Sequence, residues 1–233
     1  MKKPLNMVSL TAMLLGLPLC GVWLAAPTLS AYLEFPPRTR YVEHAPFSWT
    51  IFIALALAIL AVMVPFLTRV GAARAPSAPR PVRRAFPWWG WIALAAGLLF
   101  WMLAWTRFEW MRPFQRHTFL PLWLAYVATI NALTLRRAGS CLLTRETNFF
   151  LWLFPLSAAF WWFFEYLNRF VQNWYYVGCE EYTAFEYFSL ASLSFATVLP
   201  AVLSTEEWLA TYPRVTAGLE SWLPIRLKHP KRA

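Results

Sequence analysis

The most aromatic stretch of the chain, residues 160–176, also carries a short series of polar residues: Glu165, Asn168, Arg169 and Gln172. Their spacing of i, i+3, i+4 and i+7 places them on one face of a helix. A carboxylate near membrane depth is costly unless it is paired or protonated, so it is a functional candidate by default. Glu165 is therefore the leading candidate in this chain for a catalytic or ligand-binding residue.

Two interpretations of Glu165 remain open. In the first, Glu165 and Arg169 form an i, i+4 ion pair at the end of their helix, with Trp174 and the neighbouring tyrosines in the interfacial aromatic belt. In the second, aromatic neighbours remove Glu165 from water, and it serves as an acid or as a ligand-binding group facing a cavity.

The composition indicates which elements must position these residues. The 233 residues are 59% hydrophobic and only 14% charged, whereas soluble proteins average about 25% charged. Six stretches have the length that a hydrocarbon layer demands, near 7–26, 49–68, 88–105, 118–135, 148–168 and 185–204. The sequence predicts an all-α, polytopic transmembrane helical bundle with about six spans.

The net charge of +10 has a simple explanation in the orientation of these spans. With the N-terminus inside, only six of the 21 Lys and Arg residues face outward: Arg38, Arg40, Arg107, Arg112, Arg116 and Arg169. The other 15 lie on the cytoplasmic side, as the positive-inside rule requires. We expect both termini in the cytoplasm, a multi-pass location in the inner membrane, the lipid bilayer as partner, and no nucleic-acid partner.

Polar residues also stand near the predicted outer ends of other spans. Glu109 follows the third span and Glu186 opens the sixth. We expect these ends to meet in an outward-facing polar cup with aromatic walls, although each charge taken alone is more typical of a solvated loop. The predicted catalytic residues are Glu165 and Glu186. The predicted ligand-binding residues are Trp161, Trp162, Asn168, Arg169, Gln172, Trp174, Tyr176 and Glu109.

Other kinds of site have no signal in the sequence. The cysteines and histidines are scattered: Cys20, Cys141, Cys179, His44, His117 and His229. No Cys-x-x-Cys, His-x-x-x-His, Gly-rich phosphate loop or Gly-x-Ser-x-Gly elbow occurs. We therefore expect no disulfide framework, no metal and no cofactor.

The chain divides into four predicted segments: a helix pair at 1–69, a basic Pro/Ala linker at 70–87, a four-helix unit at 88–205 and a basic cytoplasmic tail at 206–233. The first span lacks a good cleavage site, so we expect an uncleaved helix. Pro121, Pro155 and Pro200 each predict a kink. Asn131 is expected to form an interhelical hydrogen bond.

Two resemblances follow from these residues. Residues 118–124, 136–140 and 163–168 resemble a family of bacterial multi-pass membrane proteins with no established activity. More weakly, the run from Glu165 to Tyr176 is similar to the lycopene cyclase domain of the integral-membrane type. In that domain an acid that follows a Trp precedes a second Trp by nine positions, and an aromatic residue comes next, whereas here Phe164 stands before the acid. The next acidic motif of that family is matched only by residues 184–188, with Ala184 for Pro and Tyr187 for the second acid.

The second resemblance implies isoprenoid cyclisation, with Glu165 or Glu186 as the proton donor and Trp161, Trp162, Trp174 and Tyr176 facing a carbocation. Three hypotheses follow. The leading one is an inner-membrane protein that binds a lipid or isoprenoid-like ligand in the aromatic cup. The alternatives are an isoprenoid-modifying enzyme that uses Glu as an acid and a structural subunit that packs against a partner membrane protein.

Overall fold

The computed structural model of the protein describes residues 7–25, 29–39, 41–43, 45–72, 84–213, 215 and 217. Regular structure in this part of the chain is all helical. The α-helices are α1 (Met7–Ala25), α2 (Ser30–Leu33), α3 (Trp49–Ala72), α4 (Trp88–Trp105), α5 (Phe119–Ala138), α6 (Leu142–Arg145), α7 (Thr147–Val171), α8 (Ala184–Phe195) and α9 (Val198–Ala210). Short 3₁₀ turns at Glu109–Met111 and Gln115–His117 connect α4 to α5.

Six helical stretches are long and apolar enough to cross a membrane: Val8–Ala25, Trp49–Ala72, Trp88–Trp105, Gln115–Ala138, Thr147–Val171 and Ala184–Ala210. The predicted all-α fold with about six spans is confirmed. Its physical basis is length, because at 1.5 Å per residue about 20 apolar residues match the hydrocarbon layer. The cytoplasmic placement of the two termini stays a prediction.

Some predictions fall on other parts of the chain. Most of the linker predicted at 70–87 lies outside the described residues, as do the tail from 218 onward, His44 and His229. In the described part of the chain, α9 continues beyond Thr205 to Ala210. Glu207, in this last part of α9, accepts a 2.6 Å hydrogen bond from the backbone N–H of Leu142 and forms a 2.7 Å ion pair with Arg145. These two contacts hold the end of α9 against α6.

The described residues group into two compact units, and the predicted division into four segments stays a prediction. The first unit contains the described residues of 1–44 and 160–191, which include α1, α2 and the C-terminal part of α7. The second contains those of 45–159 and 192–223, with α3 to α6 and α9. Helix α3 buries none of its side chains within the protein, which suits a helix surrounded by lipid.

Close helix packing marks the second unit. A Cβ atom added at Gly90 of α4 would lie 2.6 Å from the Cβ of Ala132 on α5, so the two backbones approach at small residues. The predicted interhelical hydrogen bond of Asn131 is confirmed, since Nδ2 donates to Ser204 Oγ at 2.8 Å. The apolar core beside it contains Val127, Leu142, Phe150, Leu153 and Ala201.

The last candidate span is interrupted between α8 and α9, shortly before Pro200. Ser157 of α7 supports the interruption, because its hydroxyl donates to Phe195 O at 2.6 Å and accepts from Leu199 N at 3.0 Å. A backbone group without a partner is expensive away from water, and here one buried serine forms hydrogen bonds to two backbone groups beside the interruption. The other two prolines leave their helices continuous: Pro121 lies in the first turn of α5, and Pro155 lies inside α7.

Candidate functional site

The C-terminal end of α7 brings together three of the predicted polar residues. Glu165, Asn168 and Arg169 are all buried, with Glu165 only 1% exposed. Gln172 lies just beyond the helix, in the left-handed region with φ 53°. Its backbone N–H donates to Asn168 O at 2.7 Å, and the chain then turns back over the end of α7.

The Glu165 carboxyl group is held by the segment that follows α7. Its Oε1 atom accepts a 2.9 Å hydrogen bond from the Trp174 indole Nε1 and a 2.7 Å hydrogen bond from the Tyr176 hydroxyl. Its Oε2 atom is buried and has no hydrogen-bond partner among the described residues. One carboxyl oxygen is thus fully engaged, whereas the other is enclosed without a donor.

Arg169 does not form the ion pair that the i, i+4 spacing suggested. Its Nη1 and Nη2 atoms donate instead to the backbone carbonyls of Tyr32 and Glu34, in and just after α2. The long guanidinium side chain reaches across to this earlier segment, while Glu165 is taken by Trp174 and Tyr176. Although Glu165 and Arg169 are four residues apart on one helix, each is buried against different partners. The ion-pair interpretation therefore does not describe this helix end.

Asn168 joins the same two segments. Its Nδ2 atom donates to Thr39 Oγ1 at 2.9 Å and to the Trp174 carbonyl at 2.7 Å. Its Oδ1 atom accepts from the backbone N–H groups of Asn173 at 2.9 Å and Trp174 at 3.3 Å. An amide side chain offers two donors and two acceptor positions, and all are used here. Asn168 therefore positions the chain around Glu165.

Arg38 is a member of this region that the sequence analysis counted only as an outer charge. Its Nη2 atom donates to the carbonyls of Tyr182 and Thr183, each at 2.9 Å. The guanidinium group also lies over the Tyr187 ring, 4.6 Å from the centroid, in a cation–π contact. The hydrogen bond between Arg38 and Tyr182 joins residues 144 positions apart, so no local pattern could have indicated it.

Aromatic side chains surround this helix end. Trp162 stacks on Phe188 with 5.2 Å between ring centroids, and Phe35 packs against both rings. The Trp161 indole donates to the Tyr176 hydroxyl at 3.5 Å. Burial, together with the hydrogen bond to Glu165, raises the pKa of Tyr176, so this phenol stays neutral and keeps donating. Tyr176 is nevertheless 38% exposed and forms part of the surface above Glu165.

Glu186 has a different environment from Glu165. It is exposed, and its Oε2 atom accepts from Thr183 N at 2.9 Å and Thr183 Oγ1 at 2.8 Å, while Glu186 N donates to Thr183 Oγ1 at 3.2 Å. This is the reciprocal pattern of a capping box at the start of α8. The Thr-x-x-Glu spacing was a readable signal for the cap that the sequence analysis missed. No hydrogen bond joins the two predicted catalytic acids.

The remaining predicted site residue, Glu109, is exposed in a 3₁₀ turn of the second unit. Trp105 is exposed as well, and it lines a shallow apolar groove of about 440 Å³ with Leu98, Trp101, Met102 and Thr106. Gln115 closes the end of α4, because its Nε2 atom donates to Ala104 O at 3.0 Å and Thr106 O at 3.3 Å.

Metal-binding groups and disulfides do not contribute to this region. The described residues contain no group of three His, Cys, Asp or Glu side chains that could hold a metal ion. Cys20, Cys141 and Cys179 are not joined in a disulfide within the described chain. Comparison with protein-family models, with curated proteins and with solved structures finds no match. The arrangement around Glu165 is therefore interpreted from its own chemistry.

Proposed function

We propose that this protein resides in the inner membrane and binds a lipid or isoprenoid-like ligand beside Glu165, on the outer side. The observation that carries the proposal is the Oε2 atom of Glu165, which is buried and has no donor within the described chain. Leaving a buried acceptor unsatisfied costs about 1–3 kcal/mol. Buried polar atoms of this kind call for an explanation, and a bound molecule provides one.

The geometry holds this carboxyl group in a fixed orientation. Two donors on Oε1, from Trp174 and Tyr176, restrict rotation of the group and leave Oε2 as the free acceptor. The donors themselves are held, because Asn168 binds both the N–H and the carbonyl of Trp174. A small number of precisely positioned polar atoms is what fixes the orientation of a largely apolar ligand.

Access to Glu165 depends on a loop. Trp174 and Tyr176 lie in the segment between α7 and α8, which has no regular helix. Tyr176 is partly exposed at the surface, and access to the carboxyl group requires a movement of this segment that breaks the hydrogen bond of Tyr176 to Oε1. Loops that cover binding sites are drawn from the less stable parts of a fold.

The test is to identify what the purified protein carries. The full-length chain would be purified in mild detergent and analysed by native mass spectrometry and lipid extraction. We expect the wild type to retain one specific apolar molecule, and Glu165→Gln to retain about tenfold less. Glu181→Gln is the matched control, because it makes the same chemical change at an exposed position.

Two results would count against the proposal. Repeated extraction of bulk phospholipid alone would remove the specific ligand. Co-purification of a stoichiometric membrane protein in place of a small molecule would favour the alternative of a structural subunit in a membrane complex.

A second candidate function is an isoprenoid-modifying enzyme of the lycopene cyclase type. Two hydrogen bonds favour it: Trp174 and Tyr176, the two aromatic residues of the resembling pattern, both donate to the acidic residue of that pattern, Glu165. Cyclisation of a polyene is an isomerisation, in which the acid adds a proton to one double bond and a proton is lost again from the cyclic cation. Aromatic faces would stabilise that cation.

This candidate has its own assay. Membranes containing the protein would be incubated with lycopene, and the product examined by chromatography and absorbance for an isomer of unchanged mass. We expect Glu165→Gln to abolish turnover while the unfolding midpoint stays near that of the wild type. An unchanged rate in this variant would exclude Glu165 as the acid.

A further inference from the structure

We infer that the ligand bound at Glu165 carries a hydrogen-bond donor, an O–H or N–H group, and presents it to Oε2. This inference rests on the proposed function and narrows its ligand class from any apolar lipid to an alcohol- or amine-headed isoprenoid or lipid.

The argument begins with the donors and acceptors already in use. Both hydrogen bonds to Oε1 come from the protein, through Trp174 and Tyr176. Asn168 has no remaining donor or acceptor position, and Arg169 is committed to the carbonyls of Tyr32 and Glu34. Oε2 is therefore a buried acceptor that no described group of the protein serves.

The chemistry of Oε2 selects the head group of the ligand. This inference takes Glu165 as a carboxylate, unlike the cyclase candidate, and a carboxylate oxygen only accepts hydrogen bonds. A pure hydrocarbon would leave Oε2 buried without a partner, and an ether, ester or phosphate oxygen would place one acceptor against another. An alcohol or an amine supplies the donor that the protein itself does not supply. The aromatic rings shown to touch this carboxyl group are those of Trp174 and Tyr176, through their hydrogen bonds to Oε1.

The experiment compares ligands that differ in this one property. Geranylgeraniol, its methyl ether and geranylgeranylamine share one hydrocarbon chain and differ only at the head. Binding to the full-length protein in detergent would be followed by tryptophan fluorescence. For the wild type we expect the alcohol to bind at least about tenfold more tightly than the ether. Comparison of the amine with the alcohol distinguishes an ammonium ligand from a hydroxyl ligand. Tighter binding of either the alcohol or the amine than of the ether supports the requirement for a donor.

Glu165→Gln sharpens the comparison. The amide oxygen can take over the two hydrogen bonds of Oε1, and the amide NH₂ then stands where Oε2 stood, so an acceptor becomes a donor. We expect the preference to reverse in favour of the ether. Glu181→Gln should keep the wild-type preference. If Glu165→Gln does not fold, the comparison of alcohol with ether on the wild type decides the matter alone.

The outcomes separate this inference from the function on which it rests. Equal affinity for the alcohol and the ether, or tighter binding of the ether, would overturn the donor requirement while leaving an isoprenoid-binding protein. Absence of binding for all three ligands would overturn the inference and the isoprenoid form of the proposed function together.

Discussion

The hydroxyl group of Tyr176 donates a 2.7 Å hydrogen bond to Oε1 of Glu165, across the point at which α7 ends and the chain reverses. Trp174 donates to the same oxygen at 2.9 Å. The segment after α7 is therefore anchored to a carboxyl group inside the helix end, and the anchor depends on Glu165 as an acceptor. The strength of this hydrogen bond can be measured by substituting either Tyr176 or Glu165.

Removing the Tyr176 hydroxyl should weaken this anchor. We expect Tyr176→Phe to lower the free energy of unfolding by about 1 kcal/mol, less than a fully buried hydrogen bond to a charged group because Tyr176 is partly exposed. Unfolding in a denaturing detergent series measures it. Tyr175→Phe is the matched control, since no hydrogen bond holds its hydroxyl among the described residues. The same change in the Glu165→Gln background should cost less, and an equal cost in both backgrounds would contradict coupling.

The raised pKa of Tyr176 predicts a specific response to alkaline pH. The unfolded phenol titrates near its ordinary pKa of 10.0, whereas the folded one titrates higher because of burial and the hydrogen bond to Glu165. The stabilisation is fully present below the unfolded pKa and is lost as pH rises through the folded pKa. Tyrosinate absorbance of the wild type minus that of Tyr176→Phe checks this. A difference signal that appears at or below pH 10.0 would contradict the assignment.

The contact between α4 and α5 predicts unequal effects at two glycines of one helix. Gly90→Ala places a methyl group 2.6 Å from the Cβ of Ala132, which is fixed to its backbone, and should cost about 1–3 kcal/mol. Gly97→Ala meets Ala125 Cβ at 3.6 Å, an ordinary contact, and should be neutral or slightly stabilising. Denaturation of both variants under identical conditions provides the comparison. Equal losses would show that the close approach at Gly90 is relieved by movement of α4.

The interruption between α8 and α9 makes Ser157 a stability residue. Ser157→Ala removes the hydroxyl that donates to Phe195 O and accepts from Leu199 N. We therefore expect the free energy of unfolding to fall by about 1–3 kcal/mol. Ser189→Ala, on α8 itself, is the control, because its hydroxyl makes no hydrogen bond in the described structure, and it should change little. Amide hydrogen exchange at Leu199 should accelerate in Ser157→Ala, and unchanged exchange there would argue that the serine is dispensable.

The sequence was most informative where the signal is local. The lengths of the apolar stretches predicted the helices and the six spans, and the spacing of Glu165, Asn168 and Arg169 predicted that they share one helix face. Asn131 was correctly read as an interhelical hydrogen bond, because a lone amide in an apolar span has few other uses. The Thr183–Glu186 capping box was also local, and its pattern was available to be read.

Hydrogen bonds between residues far apart in the sequence could not be predicted from local spacing. Arg169 satisfies the i, i+4 rule with Glu165, yet it binds carbonyls more than 130 residues earlier. Arg38 and Ser157 gave no signal in sequence, because each completes backbone groups of an element that is distant along the chain. A spacing rule predicts contacts only between residues of one helix. A buried side chain instead forms hydrogen bonds with the donors and acceptors of whichever segments pack around it.

Sequence alone determined that this is an all-helical chain with six stretches fit for a bilayer, since hydrophobic length and helical period are properties of consecutive residues. Tertiary structure decided that Glu165 is enclosed by Trp174 and Tyr176 and that Arg169 is turned to another segment. It also decided that Glu186 is used as a helix cap. The physical reason is that desolvation and hydrogen-bond saturation depend on which distant atoms converge around a group, and this convergence exists only in the folded chain.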